Sequence, residues 1–336
     1  MLVATLEESR AVSEGESPEE RRCLAAAVEA LVGSFGTRAV RDAPLGARTT
    51  YRVGGRAAIF LEIDSFEDLR TMQRALAVAG GPVPVLILGQ GSNLLVADRG
   101  FSGVVASLGR CFDWVEVRGE AVRAGGATKF PIVARRSVAA GLCGLEWAVG
   151  VPGSVGGALR MNAGGHGSDT AAVLDRYRSF DLTDGVEAEH SAKRLAFGYR
   201  HSALSPSEVV LWAEFVLGRG DADRAHAALA EVVSWRRAHQ PGGSNAGSVF
   251  MNPRDDSAGR LVEEAGLKGF RMGSARVSEK HANFIQADEG GSADDVRRLL
   301  EHVRAEVARR TGVELTTEVQ LVGFEDRTPT IVHARA

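Results

Sequence analysis

The sequence predicts an α+β protein built in successive parts, on three observations. Residues 57–88 read as strand, helix and strand; residues 101–217 break into short strands separated by glycine turns; and from Asp221 helical periodicity takes over. At 336 residues the chain exceeds one average domain, and 44% hydrophobic with 25% charged residues is the composition of a globular protein. Lys plus Arg number 40 against 43 acidic residues, and a net charge of -3 argues against nucleic acid or a membrane surface as the main partner. Cys23, Cys111 and Cys143 are odd in number and lack metal-ligand spacing, so they read as thiols of a reducing compartment and no metal is expected. The N-terminus has no basic region ahead of an apolar core, and no run is long enough to span a bilayer. A cytoplasmic protein is the expectation.

Each element has its own signal. Residues 1–16 are acidic and expected to be disordered. Ser17, Pro18 and Glu20 form a helix start, and the helix is expected to run to about Leu31. Residues 57–63 alternate as a strand. Ser65 and Asp68 open a helix bearing Leu69, Met72 and Leu76, closed by Gly80 and Gly81, and 83–88 is a buried strand. Strands follow at 103–108, 113–119 and 121–126, then a helix from about Pro131 to Ala140, a glycine-rich stretch at 148–169, and strands ending at 209–218. This part reads as a mainly antiparallel sheet. The last helix is capped by Ser292, with Asp294 and Asp295 in its first turn and Arg309 and Arg310 in its last; Val296, Leu299, Leu300, Val303 and Val307 form its apolar face. Residues 313–324 read as one strand, with Glu318 facing away from Val319.

Two glycine-rich stretches suggest where a ligand sits. In "LILGQGSNLLVADRG" (86–100), Gly89 and Gly91 follow an apolar strand, but Leu94 occupies the place of the third glycine of a dinucleotide fingerprint, and more strand follows instead of a helix. An ordinary NAD site is therefore excluded, as is a phosphate loop of the Gly-Lys-Ser/Thr kind, which is missing. A nest of backbone N–H groups from Gly89 to Asn93 remains, facing an anion, with a plain glycine hairpin as the alternative. The second stretch, "GVPGSVGGALRMNAGG", has six glycines in sixteen residues, and Gly156 and Gly157 clear side chains from a path for a flat or extended ligand. Two such loops fit a long ligand with a diphosphate, such as FAD.

In order along the chain stand "TTYRVGG", "LGQGSNLLV", "GLEWAVGVPGSVGGALRMNAG", "FGYRHS", "AGSVFMNP", "GLKGFRMGSARVSEKHANFI" and "LTTEVQLVG". Together they closely resemble the UDP-N-acetylenolpyruvoylglucosamine reductases, over about residues 41 to 324. The resemblance implies a two-part FAD-binding unit of the vanillyl-alcohol-oxidase-like (PCMH) type plus a C-terminal α+β substrate-binding domain that closes over a UDP-sugar. It implies an N-terminal extension at 1–40, FAD subdomains at 41–100 and 101–218, a substrate domain at 219–312 and a returning strand and tail at 313–336. It further implies non-covalent FAD, NADPH as electron donor, and the reduction of UDP-N-acetylglucosamine enolpyruvate to UDP-N-acetylmuramate for peptidoglycan.

By the same resemblance, FAD would touch Tyr51, then Gly89, Gln90, Gly91, Ser92, Asn93 and Leu94. Its second set would be Gly150, Val151, Pro152, Gly153, Ser154, Gly156 and Gly157, with Asn162, Ala163 and Gly164. Arg200 matches the catalytic arginine, and a guanidinium can grip a carboxylate through two bonds. Ser248 matches the proton donor, a feeble acid that suffices against a strongly basic carbon-centred enolate. Glu318 matches the third catalytic residue and either donates a hydrogen bond to the enolate, which requires a raised pKa, or positions Ser248. Asn252, His239 and His281 fall near the substrate. The family often has lysine in place of His239 and a basic residue in place of Met251, and the short connection from Ser202 to Val209 resembles the branch lacking a substrate-covering loop. Tyr199 reads as a packing residue. The competing readings are a flavin oxidase of the same superfamily and a silent FAD- or UDP-sugar-binding regulator. A silent protein is expected to lack Arg200, Ser248 or Glu318, and all three are present.

Overall fold

The computed structural model describes residues 17–324 and 331–332, so the expected disorder of 1–16 lies outside the described residues. Ser17 Oγ accepts from Glu20 N at 3.1 Å and the Glu20 carboxylate accepts from Ser17 N at 2.8 Å, the reciprocal cap that starts α1, Pro18–Phe35. The helix outruns its expected end because Phe35 is still buried, and it stops at Gly36, whose φ of 56° a side chain would resist. With α2, Phe66–Val78, capped by Ser65, α1 covers one face of a five-stranded sheet. Its order is Ala39–Pro44, Arg56–Ile63, Phe101–Leu108, Val83–Ile87 and Ile331–Val332.

The strand Phe101–Leu108 corrects the expected division at residue 100. It pairs in parallel with both Arg56–Ile63 and Val83–Ile87, so it is the middle of the first sheet and not the opening of the second. Val104, Val105 and Ala106 are buried together, as a strand covered on both faces requires.

The second sheet is antiparallel as expected, in the order Glu187–Ser191, Leu174–Asp181, Glu208–Val216, Ala121–Gly125, Val115–Arg118. Eight of the nine residues of Glu208–Val216 are buried, because the strand is the wall between two cores. A register shift beside Leu211 breaks its alternation: Val209, Leu211 and Trp212 face the α1–α2 core, while Val210, Ala213 and Phe215 face the other. That second core is closed by α3, Phe130–Ala139, by α4, Val155–Met161, and by α5, Ala222–His239. Helix α4 lies inside the stretch that reads as an irregular loop. It forms because Ser154 caps it, accepting from Gly157 N at 3.3 Å, and Asn162 ends it at φ 40°. Helix α5 packs its Ala225, Leu229 and Val232 into this same core, so the sheet unit extends past residue 218.

The third unit holds α6, Ala258–Glu264, α7, Ala293–Thr311, and a small sheet of Arg271–Met272, Ala275–Val277 and Ile285–Ala287. The caps and apolar face read for α7 are all observed. Residues 313–324 are not one strand: only Gln320–Val322 is, in parallel with Leu94–Val96, while Thr317 makes a single bridge to Phe250. Leu315 and Val319 point into the α7 core, which leaves no continuous ladder partner for the segment. The third unit is bolted to the first. Asp98 accepts from Ser292 Oγ (2.5 Å), Ala293 N (2.9 Å) and Asp294 N (3.2 Å), capping α7 from the neighbouring unit, and Tyr51, Val53 and Leu95 enter the α7 core.

Candidate functional site

The two glycine stretches touch each other. A Cβ on Gly89 would lie 2.5 Å from Ser154 Oγ, and one on Gly153 would lie 3.6 Å from Ser92 Oγ. Between them a groove of about 100 Å³ is lined by Gly89 and Gln90 on one side and by Ser154, Gly156 and Gly157 on the other, with Arg160 and Glu208 in its wall. Gly91 takes φ 60°, and its Cβ would fall 2.6 Å from Arg48 O, so only glycine fits.

The residues fit FAD on three observations. Among the described residues, the five backbone N–H groups from Gly89 to Asn93 find no acceptor, although the four from Gln90 to Asn93 belong to buried or half-buried residues, whose amides are normally paired. The Tyr51 hydroxyl is wholly buried without a hydrogen-bond partner, and burial pushes its phenol well above the ordinary value. An acceptor on a bound group would satisfy both. The groove, moreover, is bordered by glycines where a side chain would intrude.

Several residues expected at the cofactor have other work. Asn162 is buried, and its amide donates to Asp169 Oδ2 and Gly198 O, each at 3.0 Å, while its oxygen accepts from Ala171 N. It braces the turn that carries Arg200. Gly150 lies against Val232 and Arg236 of α5, and its carbonyl accepts from the Arg236 guanidinium. The Val151 N–H bonds back to Ala148 O, Pro152 is exposed, and Ala163 N bonds Ala158 O at the end of α4. Leu94 opens the strand that meets Gln320. Asn93 gives its amide to Glu318 O at 3.1 Å.

Arg200 and Glu318, 118 positions apart in the numbering, meet where they are tied to Gly164 and Asn93 of the two glycine stretches. Arg200 Nε stands 2.8 Å from Glu318 Oε1, but the N–H is not aligned as a hydrogen bond and has no other acceptor. Its Nη1 donates to Gly164 O at 3.0 Å, which ties it to the second glycine stretch. Arg200 adopts φ 55°, a left-handed conformation that strains a side-chain-bearing residue and persists only where its surroundings enforce it. Burial raises the Glu318 carboxyl above its ordinary value, while the Arg200 guanidinium pulls the other way. Glu318 N donates to Val249 O at 2.9 Å, so the half-buried Ser248 precedes the residue directly bonded to Glu318. The three expected catalytic residues therefore converge on one seam. Asn283, which lies inside the motif "GLKGFRMGSARVSEKHANFI" but is not singled out there, holds the segment after Ser248: it is buried, accepts from Phe250 N at 3.0 Å and donates to Phe250 O at 2.9 Å. Its signal was a polar residue inside the apolar run "ANFI".

Asn252 and His281 gather at the first turn of α6. Asn252 Oδ1 accepts from Ala258 N at 3.1 Å, and a Cβ on Gly259 would lie 3.3 Å from His281 Cε1. Burial holds the His281 imidazole below its ordinary value, and Nδ1 accepts from Asn283 N. His239 is exposed at the end of α5, its ring stacked on Trp235 at 4.8 Å and its Nδ1 2.8 Å from Trp235 O. Trp235 is met edge-on by His166, from the loop that begins at the Arg200-bound Gly164. Tyr199 is 56% exposed with the Arg200 guanidinium 5.4 Å from its ring, so it is a rim residue and not a packing one. It stands with the left-handed Arg200 at the tip of a tight turn closed by the Gly198–His201 bridge, which turns it outward.

Comparison with known proteins bears on this site. Residues 58–188 match the family model described as "FAD binding domain", and residues 239–322 the one described as "UDP-N-acetylenolpyruvoylglucosamine reductase, C-terminal domain". A UDP-N-acetylenolpyruvoylglucosamine reductase of Acidiphilium cryptum is 42% identical over 287 residues, covering 85% of this chain and 92% of that protein. One from Heliobacterium modesticaldum is 41% identical over 289 residues, covering 84% and 90%. The crystal structure of the UDP-N-acetylenolpyruvylglucosamine reductase of Thermus caldophilus superposes with a TM-score of 0.73 at 34% identity, covering 84% of this chain and 98% of that one.

Proposed function

The chain belongs to the UDP-N-acetylenolpyruvoylglucosamine reductases, and from that premise we propose how its own residues carry the reaction. The protein is an FAD-dependent oxidoreductase that reduces the enolpyruvyl ether of UDP-N-acetylglucosamine to UDP-N-acetylmuramate in peptidoglycan synthesis. It has the α+β architecture of an FAD-binding unit joined to a C-terminal substrate unit. Bound FAD supplies the hydride, taken from NADPH and passed to the terminal carbon of the enol ether.

Negative charge then develops beside the substrate carboxylate, where it is costly in a site poor in water unless donors and cations face it. Arg200 meets that charge with its guanidinium, preset by Gly164 and by its enforced backbone. Glu318, whose carboxyl burial raises, is placed to donate a hydrogen bond to the enolate oxygen when protonated. Ser248 delivers the proton to carbon. Gly89, Gln90, Gly91 and Ser92 offer backbone N–H groups to the cofactor diphosphate, opposite Ser154, Gly156 and Gly157. Asn252 and His281 at the head of α6, and His239 at the end of α5, are placed to border the UDP-sugar. The enzyme works in the cytoplasm, where NADPH is at hand; no helix among the described residues is long and apolar enough to cross a membrane.

The single observation that carries this reading is the convergence of Arg200, Glu318 and the Ser248–Val249 segment, with Arg200 tied to Gly164 and Glu318 to Asn93 of the two glycine stretches. The test incubates the purified flavoprotein with NADPH and the enolpyruvyl UDP-sugar and follows the lactyl ether by mass spectrometry. Flavin bleached by NADPH and reoxidised by oxygen, but not by the sugar, would favour an oxidase and defeat the reading.

A further inference from the structure

We propose that Asn93 is a positioning residue for Glu318, holding the glutamate's backbone against the cofactor loop instead of binding the cofactor with its own side chain. The proposal rests on the reading of Glu318 as part of the reaction. Asn93 brackets the glutamate from both sides: its Nδ2 donates to Glu318 O at 3.1 Å, and its own carbonyl accepts from Gln320 N at 2.9 Å. On the opposite edge Glu318 N donates to Val249 O at 2.9 Å. The Glu318 peptide is thus suspended between the loop that lines the groove and the segment that carries Ser248. Gln320 Nε2 also reaches Glu318 O, at 3.2 Å, but from the same segment, so it cannot fix that segment relative to the loop.

The consequence is mechanical. Glu318 leans on Arg200 through a misaligned contact, so its side chain is not set by that partner alone. Its Cα is set by Asn93 and Val249, and a displacement of a reacting group by about 1 Å can cost 10²-fold in rate. Asn93 sits at the end of the five unpaired N–H groups, so the loop that receives the cofactor also sets the glutamate.

The experiment compares wild-type holoenzyme with Asn93→Ala and Asn93→Asp by stopped-flow flavin absorbance, with FAD affinity measured separately by flavin fluorescence. Both variants should hold FAD and accept hydride from NADPH within about threefold of wild type. Reoxidation by the enolpyruvyl sugar should slow by about tenfold or more. Aspartate has the size of asparagine but can donate only when protonated. Relative to wild type at the same pH, reoxidation in Asn93→Asp should therefore recover as pH falls towards the ordinary aspartate range of about 4, and Asn93→Ala should not recover. A mere loss of packing would give the two variants parallel profiles, and parallel profiles with a competent wild type overturn the role of Asn93. Loss of FAD from either variant where wild type retains it makes Asn93 a cofactor ligand and overturns the proposal as well. A wild-type flavin that the sugar never reoxidises overturns the functional reading itself, and this proposal with it.

Discussion

Arg200 and Glu318 stand 2.8 Å apart, yet the guanidinium does not align a hydrogen bond on the carboxylate, and burial outweighs its pull. The glutamate is therefore raised in the folded protein. The unfolded chain releases this proton first, so folding stability falls as pH rises from the ordinary glutamate range through the raised folded value, and levels above it. Glu318→Gln has no proton to lose. The melting temperature of the variant minus that of wild type should grow as pH rises across that window. Thermal melts from about pH 5 to 8 measure it; a difference independent of pH would show that Arg200 wins after all.

Tyr51 carries a buried hydroxyl with no partner among the described residues. Removing an unsatisfied buried polar group stabilises a protein by about 1–3 kcal/mol, whereas removing a satisfied one costs about 1 kcal/mol. Tyr51→Phe should raise the stability of the FAD-free protein and weaken FAD binding. Urea unfolding with and without FAD separates the two. Equal destabilisation in both forms would mean that the hydroxyl has a protein partner.

Gly89 faces Ser154 so closely that a methyl group would lie 2.5 Å from its hydroxyl. Gly89→Ala should push the two loops apart and lower FAD affinity by about tenfold or more, since 1.4 kcal/mol is a tenfold change. Adding Ser154→Gly clears the contact at a helix-cap cost of only a few tenths of a kcal/mol. The double variant should regain FAD. If it binds no better than Gly89→Ala alone, the contact is not what the glycine avoids.

Ser248 separates the two half-reactions. Ser248→Ala should keep FAD and be bleached by NADPH at nearly the wild-type rate, while reoxidation by the enolpyruvyl sugar slows by about 10²-fold or more. Stopped-flow absorbance reads both halves, and an untouched second half would remove Ser248 from the mechanism.

Asp98 caps α7 from the neighbouring unit with three accepted hydrogen bonds. Asp98→Ala should cost about 1–3 kcal/mol in urea unfolding. A loss within error would mean that Ser292, which accepts from Asp295 N, caps the helix alone.

Much of the fold was legible because its signals are local. The reciprocal cap of Ser17 and Glu20, the Ser65 cap of α2 and the charge-graded α7 depend on residues three or four positions apart, and chain geometry brings those together in any context. The strand after Asn93 was legible from Leu94, Leu95 and Val96, and with it the rejection of a dinucleotide helix. The motifs carrying Arg200, Ser248 and Glu318 marked the residues that the fold brings to one seam.

By itself, then, the sequence determined the class of fold, the family, most helices and strands, and which residue types stand ready for hydride and proton chemistry. Tertiary structure alone decided the partners. Nothing local says that Leu94–Val96 pairs with Gln320–Val322, that Phe101–Leu108 lies at the centre of the first sheet, or that the irregularity at Leu211 turns one strand between two cores. Nor does it say that the Asn93 amide turns to Glu318 and the Asn162 amide to Asp169 and Gly198. A side-chain amide or a strand edge bonds whatever the packed chain presents within about 3 Å, and that neighbour is set by the burial of the whole core rather than by the residues next to it in sequence.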